Sequence, residues 1–165
     1  MELMSQSRNP TTVTHTGNPK STAQIAGHPL HPMLIPFPIA FLVATFVCDL
    51  IFWQTRNPAW STASLYLLGA ALIMAALAAL AGLTDFLGDE RIRNLSAAWR
   101  HLVGNVLAVL LSLWNWYSRY QSGDAAVLPT GLLISLVVVV ILLYTGWRGW
   151  EMVYQHRVAV LDQST

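Results

Sequence analysis

Read for hydrophobic and polar positions alone, the chain resolves into four long apolar runs: Met33 to Trp53, Trp60 to Leu87, Trp99 to Tyr117 and Ala125 to Trp147. Ionisable side chains are sparse within them, with Asp49 in the first, Asp85 in the second and Arg100 and His101 at the start of the third. Each run is near or above the ~20 residues that cross a ~30 Å hydrocarbon core as a helix. In lipid a helix satisfies every backbone polar group within its own segment. The pattern predicts an all-α fold, a membrane four-helix bundle with helices over about 33–53, 62–86, 99–118 and 127–150. Residues 1–26 are rich in Ser, Thr and Asn and lack an apolar stretch, which predicts a disordered polar tail and no signal peptide. Residues 27–160 then form one four-helix domain, followed by a short tail over 161–165.

The tryptophans support the same division. Trp53 and Trp60 flank the first loop, Trp99 opens the third run, Trp114 and Trp116 close it, and Trp147 and Trp150 close the fourth. That is the placement of an interfacial aromatic belt. Four crossings bring both termini to one side, together with the loop "GDERIRNLSAAWR". Arg8, Lys20, Arg91, Arg93, Arg100, Arg148 and Arg157 fall on that side, against Arg56 and Arg119 on the other. The positive-inside rule therefore predicts an N-in, C-in topology with the arginine-rich face in the cytoplasm.

Composition sharpens this. The chain is 55% hydrophobic and 10% charged, with a mean hydropathy of +0.49, where a soluble domain carries roughly 25% charged residues. A net charge of +1 argues against a nucleic-acid partner. The single cysteine, Cys48, excludes an intramolecular disulfide and a Cys-rich metal site. No nucleophile with an adjacent base and no Gly-rich phosphate loop is evident, which argues against hydrolytic or nucleotide chemistry.

Candidate chemistry converges on the arginine-rich face. His28 and His31 precede the first run, Asp85 ends the second, His101 begins the third, and Glu151 and His156 follow the fourth. In the third run His101, Gly104, Asn105, Ala108, Ser112 and Asn115 recur at steps of three or four, a small polar stripe that faces other helices. Ala78, Gly82 and Asp85 make a similar stripe, and Gly146, Gly149, Val153 and His156 share a face of the fourth helix. In "GHPLHPMLIPFPIAF" the prolines push His28 and His31 toward extended backbone. Pro36 and Pro38 sit in the first turns of the first helix, so the stretch reads as a rigid non-helical collar. Asp49 is expected to be a structural partner of Arg56, and Glu151 of Arg148.

The order of "GHPLHPMLIPFPIAF", "AGLTDFLGD", "RHLVGN" and "GWRGWEMVYQHRVAV" resembles the bacterial membrane family known as domain of unknown function 2231, over roughly Gly27 to Val160. The resemblance maps the family pattern onto His28, Pro29, His31, Pro32, Phe37, Pro38, Gly82, Asp85, His101, Asn105, Tyr154 and His156. Where the family tends to have glycines, this chain has Trp150, Arg157 and Ala159. The resemblance implies a fold and a topology and brings no activity with it.

The residues leave three functions open. A non-catalytic subunit or scaffold of a membrane complex needs no cofactor; its partners are the bilayer, other membrane or redox proteins, or a second copy. A b-type haem electron-transfer protein would use His31, His101 and His156 as ligands and Arg91, Arg93 and Arg100 for the propionates. A divalent-metal site would use His28, His31, Asp85 and His101. In the last two, His31, His101 and Asp85 are expected to meet in one polar cluster with His156 at its edge.

Overall fold

The computed structural model describes residues 17–160. The chain enters through a two-stranded antiparallel ribbon, β1 (Gln24–Ile25) and β2 (His28–Pro29). A one-turn helix α1 (Leu30–Leu34) and the long helices α2 (Pro36–Thr55) and α3 (Pro58–Gly88) follow. A short α4 (Glu90–Arg93) then leads to α5 (Ser96–Ser122) and α6 (Leu132–Tyr154). Three continuous helical stretches are long and apolar enough to cross a membrane: Leu30–Thr55, Pro58–Gly88 and Ser96–Tyr154. The third, at 59 residues, contains both α5 and α6. It breaks where Leu128 takes φ −123° and ψ 135°, the extended backbone imposed on a residue before proline. Beyond the break α6 runs back along α5. Asn115 near the end of α5 bonds to Gly131 before α6, while His101 near the start of α5 bonds to Thr145 toward the end of α6.

Local sequence explains the boundaries. Pro58 occupies the first turn of α3, where no N–H is needed, and the Asn57 side chain accepts from Ala59 N at 3.0 Å. Pro36 starts α2 in the same way. Arg56 closes α2 in the left-handed region at φ 56°. His28 is extended as expected, but His31 is not: it lies in α1. Pro32 is only the third residue of that helix, so its missing N–H disrupts no intrahelical bond. The collar is thus one helical turn set before α2.

Burial runs opposite to that of a water-soluble bundle. Leu80, Leu110, Ile73 and Leu143 are 58–72% exposed, while Ser64 and Ser112 are 0% and 1% exposed. Small and polar residues face inward and large apolar ones outward, the arrangement of helices that pack in lipid, where association relies on close approach and interhelical hydrogen bonds. The centre is a dry cluster of Leu42, Leu68, Ala71, Ala108 and Val138. Six tryptophans are exposed, whereas Trp116 turns inward onto this core beside Gly69.

Residues 17–26, expected in a mobile tail, are instead held as a strap. Ala23 and Thr22 donate backbone N–H groups to Asp85 Oδ1, each at 2.7 Å, and Lys20 N donates to Asp89 Oδ2 at 3.1 Å. Carboxylates at the end of α3 attract backbone donors that a polar segment otherwise leaves to water. At the other end of the chain, Ala159 N donates to Pro19 O and Asn18 Nδ2 to Val160 O. Arg157 and Ala159 hold φ of 53° and 61°. Glycine would adopt this backbone without the strain of a side chain. The remainder of the two expected tails, residues 1–16 and 161–165, lies outside the described residues.

Among the glycines predicted to permit close packing, Gly104 does so: a Cβ there would overlap the Thr145 methyl. Gly146 does not, because nothing lies within 4 Å of its position. It follows the inward-facing Thr145 by one residue, about 100° around the helix. Gly104→Leu should therefore destabilise the bundle by at least ~1–3 kcal/mol, the cost of overpacking a tight contact. Leu110→Ile, at a site 58% exposed, should be nearly silent. Thermal melts of both variants in one detergent check this, and equal tolerance would contradict the packing of α5 on α6.

Candidate functional site

Two histidines from different parts of the chain meet at the end of the bundle where α3 finishes and α5 begins. α1 carries His31 onto α3, and its ring sits over Gly82, where a Cβ would come within 2.7 Å of Nδ1. His31 Nδ1 lies 2.8 Å from Ala78 O. His101, in the first turns of α5, rests beside Gly149 of α6, with Nδ1 2.8 Å from Thr145 O. Asn105, one turn on, donates to His101 O at 2.7 Å and accepts from Thr145 Oγ1 at 3.4 Å. The two imidazoles meet edge to face, with ring centroids 6.1 Å apart and planes at 83°.

The hydrogen bonds define the tautomers. A backbone carbonyl only accepts, so each Nδ1 carries a proton and donates it. In the neutral rings both Nε2 atoms then keep a lone pair. Fixing Nδ1–H on a carbonyl while Nε2 stays available is how ligating histidines are oriented. Of the two glycines predicted as structural, Gly82 lets the His31 ring approach its helix this closely, whereas a Cβ at Gly149 would meet the His101 ring at an ordinary contact distance of 3.4 Å.

The other predicted site residues do not join them. Asp85 lies one turn beyond Gly82, but its Oδ1 accepts from Ser21 Oγ at 2.8 Å and from the Thr22 and Ala23 amides. Its carboxylate is committed to the strap, because backbone donors reach it before any imidazole does. His28 is exposed and turned onto its own ribbon, with Nδ1 3.0 Å from Ala26 O. His156 is exposed in the turn after α6, since the helix ends at Tyr154, and so it does not complete the expected face. Among the described residues no group of three or more His, Cys, Asp or Glu side chains is placed to hold a metal ion.

The arginines also separate. Arg91 pairs with Asp89 at 2.7 Å and donates to Gly17 O, and Arg93 donates to the Phe86 and Leu87 carbonyls that end α3. The Arg91 guanidinium holds the Asp89 carboxyl down to about 2. Arg100 is exposed, one residue before His101. Glu151 pairs with Arg148 at 2.7 Å as the sequence implied.

The opposite end holds a buried polar network that sequence reasoning missed. Asp49 on α2 is 0% exposed and bonds to Arg119 of α5, not to Arg56. The guanidinium grips it in bidentate fashion, Nη1 to Oδ1 and Nη2 to Oδ2, each at 2.7 Å. Ser64 Oγ of α3 donates to Oδ1 at 2.5 Å and Ser135 Oγ of α6 to Oδ2 at 2.7 Å. Arg119 Nη1 also contacts Ser64 Oγ. Asn115 accepts from Arg119 Nε at 3.0 Å and donates to Gly131 O and Ser135 Oγ. The signal was available: the stripe through Ser112 and Asn115 reaches Arg119 in one further step of four.

A family model described as a predicted membrane protein, DUF2231, matches residues 27–162. The chain belongs to this family. No curated protein and no solved structure matches it. The DUF2231 match begins just before His28, so it takes in the histidine pair and the Asp49–Arg119 network but leaves the strap outside.

Asp49→Ala leaves a guanidinium buried without its counter-ion and should cost about 3–5 kcal/mol. Replacing the pair together, with Asp49→Leu and Arg119→Met, should recover much of that loss. Detergent unfolding of the single and double variants checks it, and additive losses would show that the two side chains do not act as a pair.

Proposed function

We propose that this DUF2231 chain is a four-crossing subunit of a membrane redox complex whose His31 and His101 form a bis-imidazole site for b-type haem. The observation that carries the reading is the pair itself, with both Nδ1 protons fixed on backbone carbonyls and ring centroids 6.1 Å apart. The number of ligands favours haem over a bare ion. Two histidine nitrogens would be enough to hold a haem iron, whereas a protein zinc site takes three or four protein ligands. With Arg91 and Arg93 engaged at the end of α3, Arg100 is the arginine this reading assigns to a propionate. Held by these two residues at one face, such a group would exchange electrons only with a partner on that face, the role of a subunit in a larger complex and not of a wire across the bilayer.

The same reading sets the chain in a bacterial inner membrane with the histidine end and both termini in the cytoplasm. Lys20, Arg91, Arg93, Arg100, Arg148 and Arg157 lie toward that end, and at the other Arg119 is neutralised by Asp49, leaving Arg56.

Purified from haem-replete cells, the protein should show a Soret band that shifts on reduction and is lost in His31→Ala and His101→Ala but kept in His156→Ala. A featureless spectrum would remove the haem and leave a cofactor-free scaffold. Reporter fusions after Asp124 should score as periplasmic and fusions after Thr165 as cytoplasmic, and the reverse pattern would overturn the orientation.

A further inference from the structure

α3 presents three contacts in register along one face. Ala78 O receives the His31 Nδ1–H, Gly82 lies beneath the His31 ring, and Asp85 Oδ1 collects Ser21 Oγ, Thr22 N and Ala23 N at 2.7–2.8 Å. The steps of four and three keep these positions on one side of the helix. The segment they hold is short and doubly tied. Ala23 O accepts from Leu30 N at 2.9 Å, and the Gln24–Ile25 and His28–Pro29 strands pair between them. The carboxylate thus anchors the residue whose carbonyl receives the first N–H of α1, and His31 is the next residue.

We infer that Asp85 is a positioning residue for His31, setting its imidazole through the strap and ribbon without touching it. Nothing else polar on α3 reaches residues 21–23 except Thr84 O, which accepts from Thr22 Oγ1 at 2.9 Å. Asp89 Oδ2 holds Lys20 N beyond them. The reach of this inference as a cofactor device rests on the haem reading, but the geometry of His31 does not.

The test is therefore made on the protein without added haem. In ¹⁵N-histidine-labelled full-length protein in detergent, His31 should give the signature of a ring whose Nδ1 proton is held in a hydrogen bond, as should His101. Asp85→Leu keeps roughly the size of the side chain and removes every acceptor. It should abolish that signature for His31, leave His101 unchanged, and speed amide exchange at Thr22 and Ala23 by ~10-fold or more, as loss of a hydrogen bond to a charged group does. Ser21→Ala, which removes one donor only, should shift the His31 signal in the same direction and by less, and it serves if Asp85→Leu does not fold. Faster exchange at Thr22 and Ala23 with His31 unmoved would overturn the inference. Loss of both histidine signatures together would show a general structural role and overturn it as well. If the His31 signature responds as stated while the wild-type protein binds no haem, the positioning role stands and the haem reading falls.

Discussion

One buried carboxylate ties the four long helices together. Asp49 has no exposed surface, and removing an ionised group from water costs several kcal/mol unless every lone pair finds a partner. The structure supplies those partners from the three other long helices: Ser64 on α3, Arg119 on α5 and Ser135 on α6. The demand then propagates. Arg119 needs an acceptor for its Nε, which makes Asn115 part of the network, and Asn115 in turn bonds the Gly131 carbonyl at the entry to α6. Gly131 has no room for a side chain, because a Cβ would fall 2.6 Å from Ala126 O and 3.1 Å from both Arg119 and Asn115. The break between α5 and α6 is therefore shaped by the same charge that pins α2.

With one end locked by charge, the two ends of the bundle are built differently. At the Asp49 end the donors are side chains of the helices, mutually satisfied and closed to solvent. At the histidine end the partners are backbone carbonyls, Ala78 O and Thr145 O, and each imidazole keeps a nitrogen out of those bonds. The dry layer of Leu42, Leu68, Ala71, Ala108 and Val138 separates them. Such a layer carries no polar relay between the two ends.

Much of this was legible in the sequence because lipid leaves few options. Apolar length marked the helices, and the polar stripe of α5 turned His101 and Asn105 inward, where the structure has them. The helices nevertheless run past the apolar runs: α3 extends over Pro58–Gly88 against an expected 62–86, because Asn57 caps it and Pro58 fits its first turn. What failed were inferences from sequence proximity. Asp49 was assigned to Arg56 seven residues away, but Arg56 closes α2 in a left-handed turn, and Arg119 arrives from α5. Asp85 was grouped with the histidines because it shares their end of the bundle, yet its carboxylate is taken by backbone amides of a segment whose polar composition gave no sign of order.

That segment shows how a feature invisible to hydropathy can still be dictated by elementary chemistry. Hydropathy registers what leaves water and is silent about a Ser/Thr strap that remains at the interface. A carboxylate accepting several hydrogen bonds from one tripeptide, with a second carboxylate one turn on, is nonetheless a strong local anchor. The strap also carries the C-terminal residues, through Pro19 O and Asn18 Nδ2, so both ends of the described chain close over the same face. Arg157 and Ala159 hold left-handed backbone within that closure, a conformation strained for side-chain-bearing residues and sustained where surrounding contacts determine it. Gly88, beneath Thr22, completes the fit: a Cβ there would overlap the threonine side chain. The order of the face thus follows from Asp85 and Asp89 together with the absence of a side chain at Gly88, three positions on or just beyond the last turn of α3.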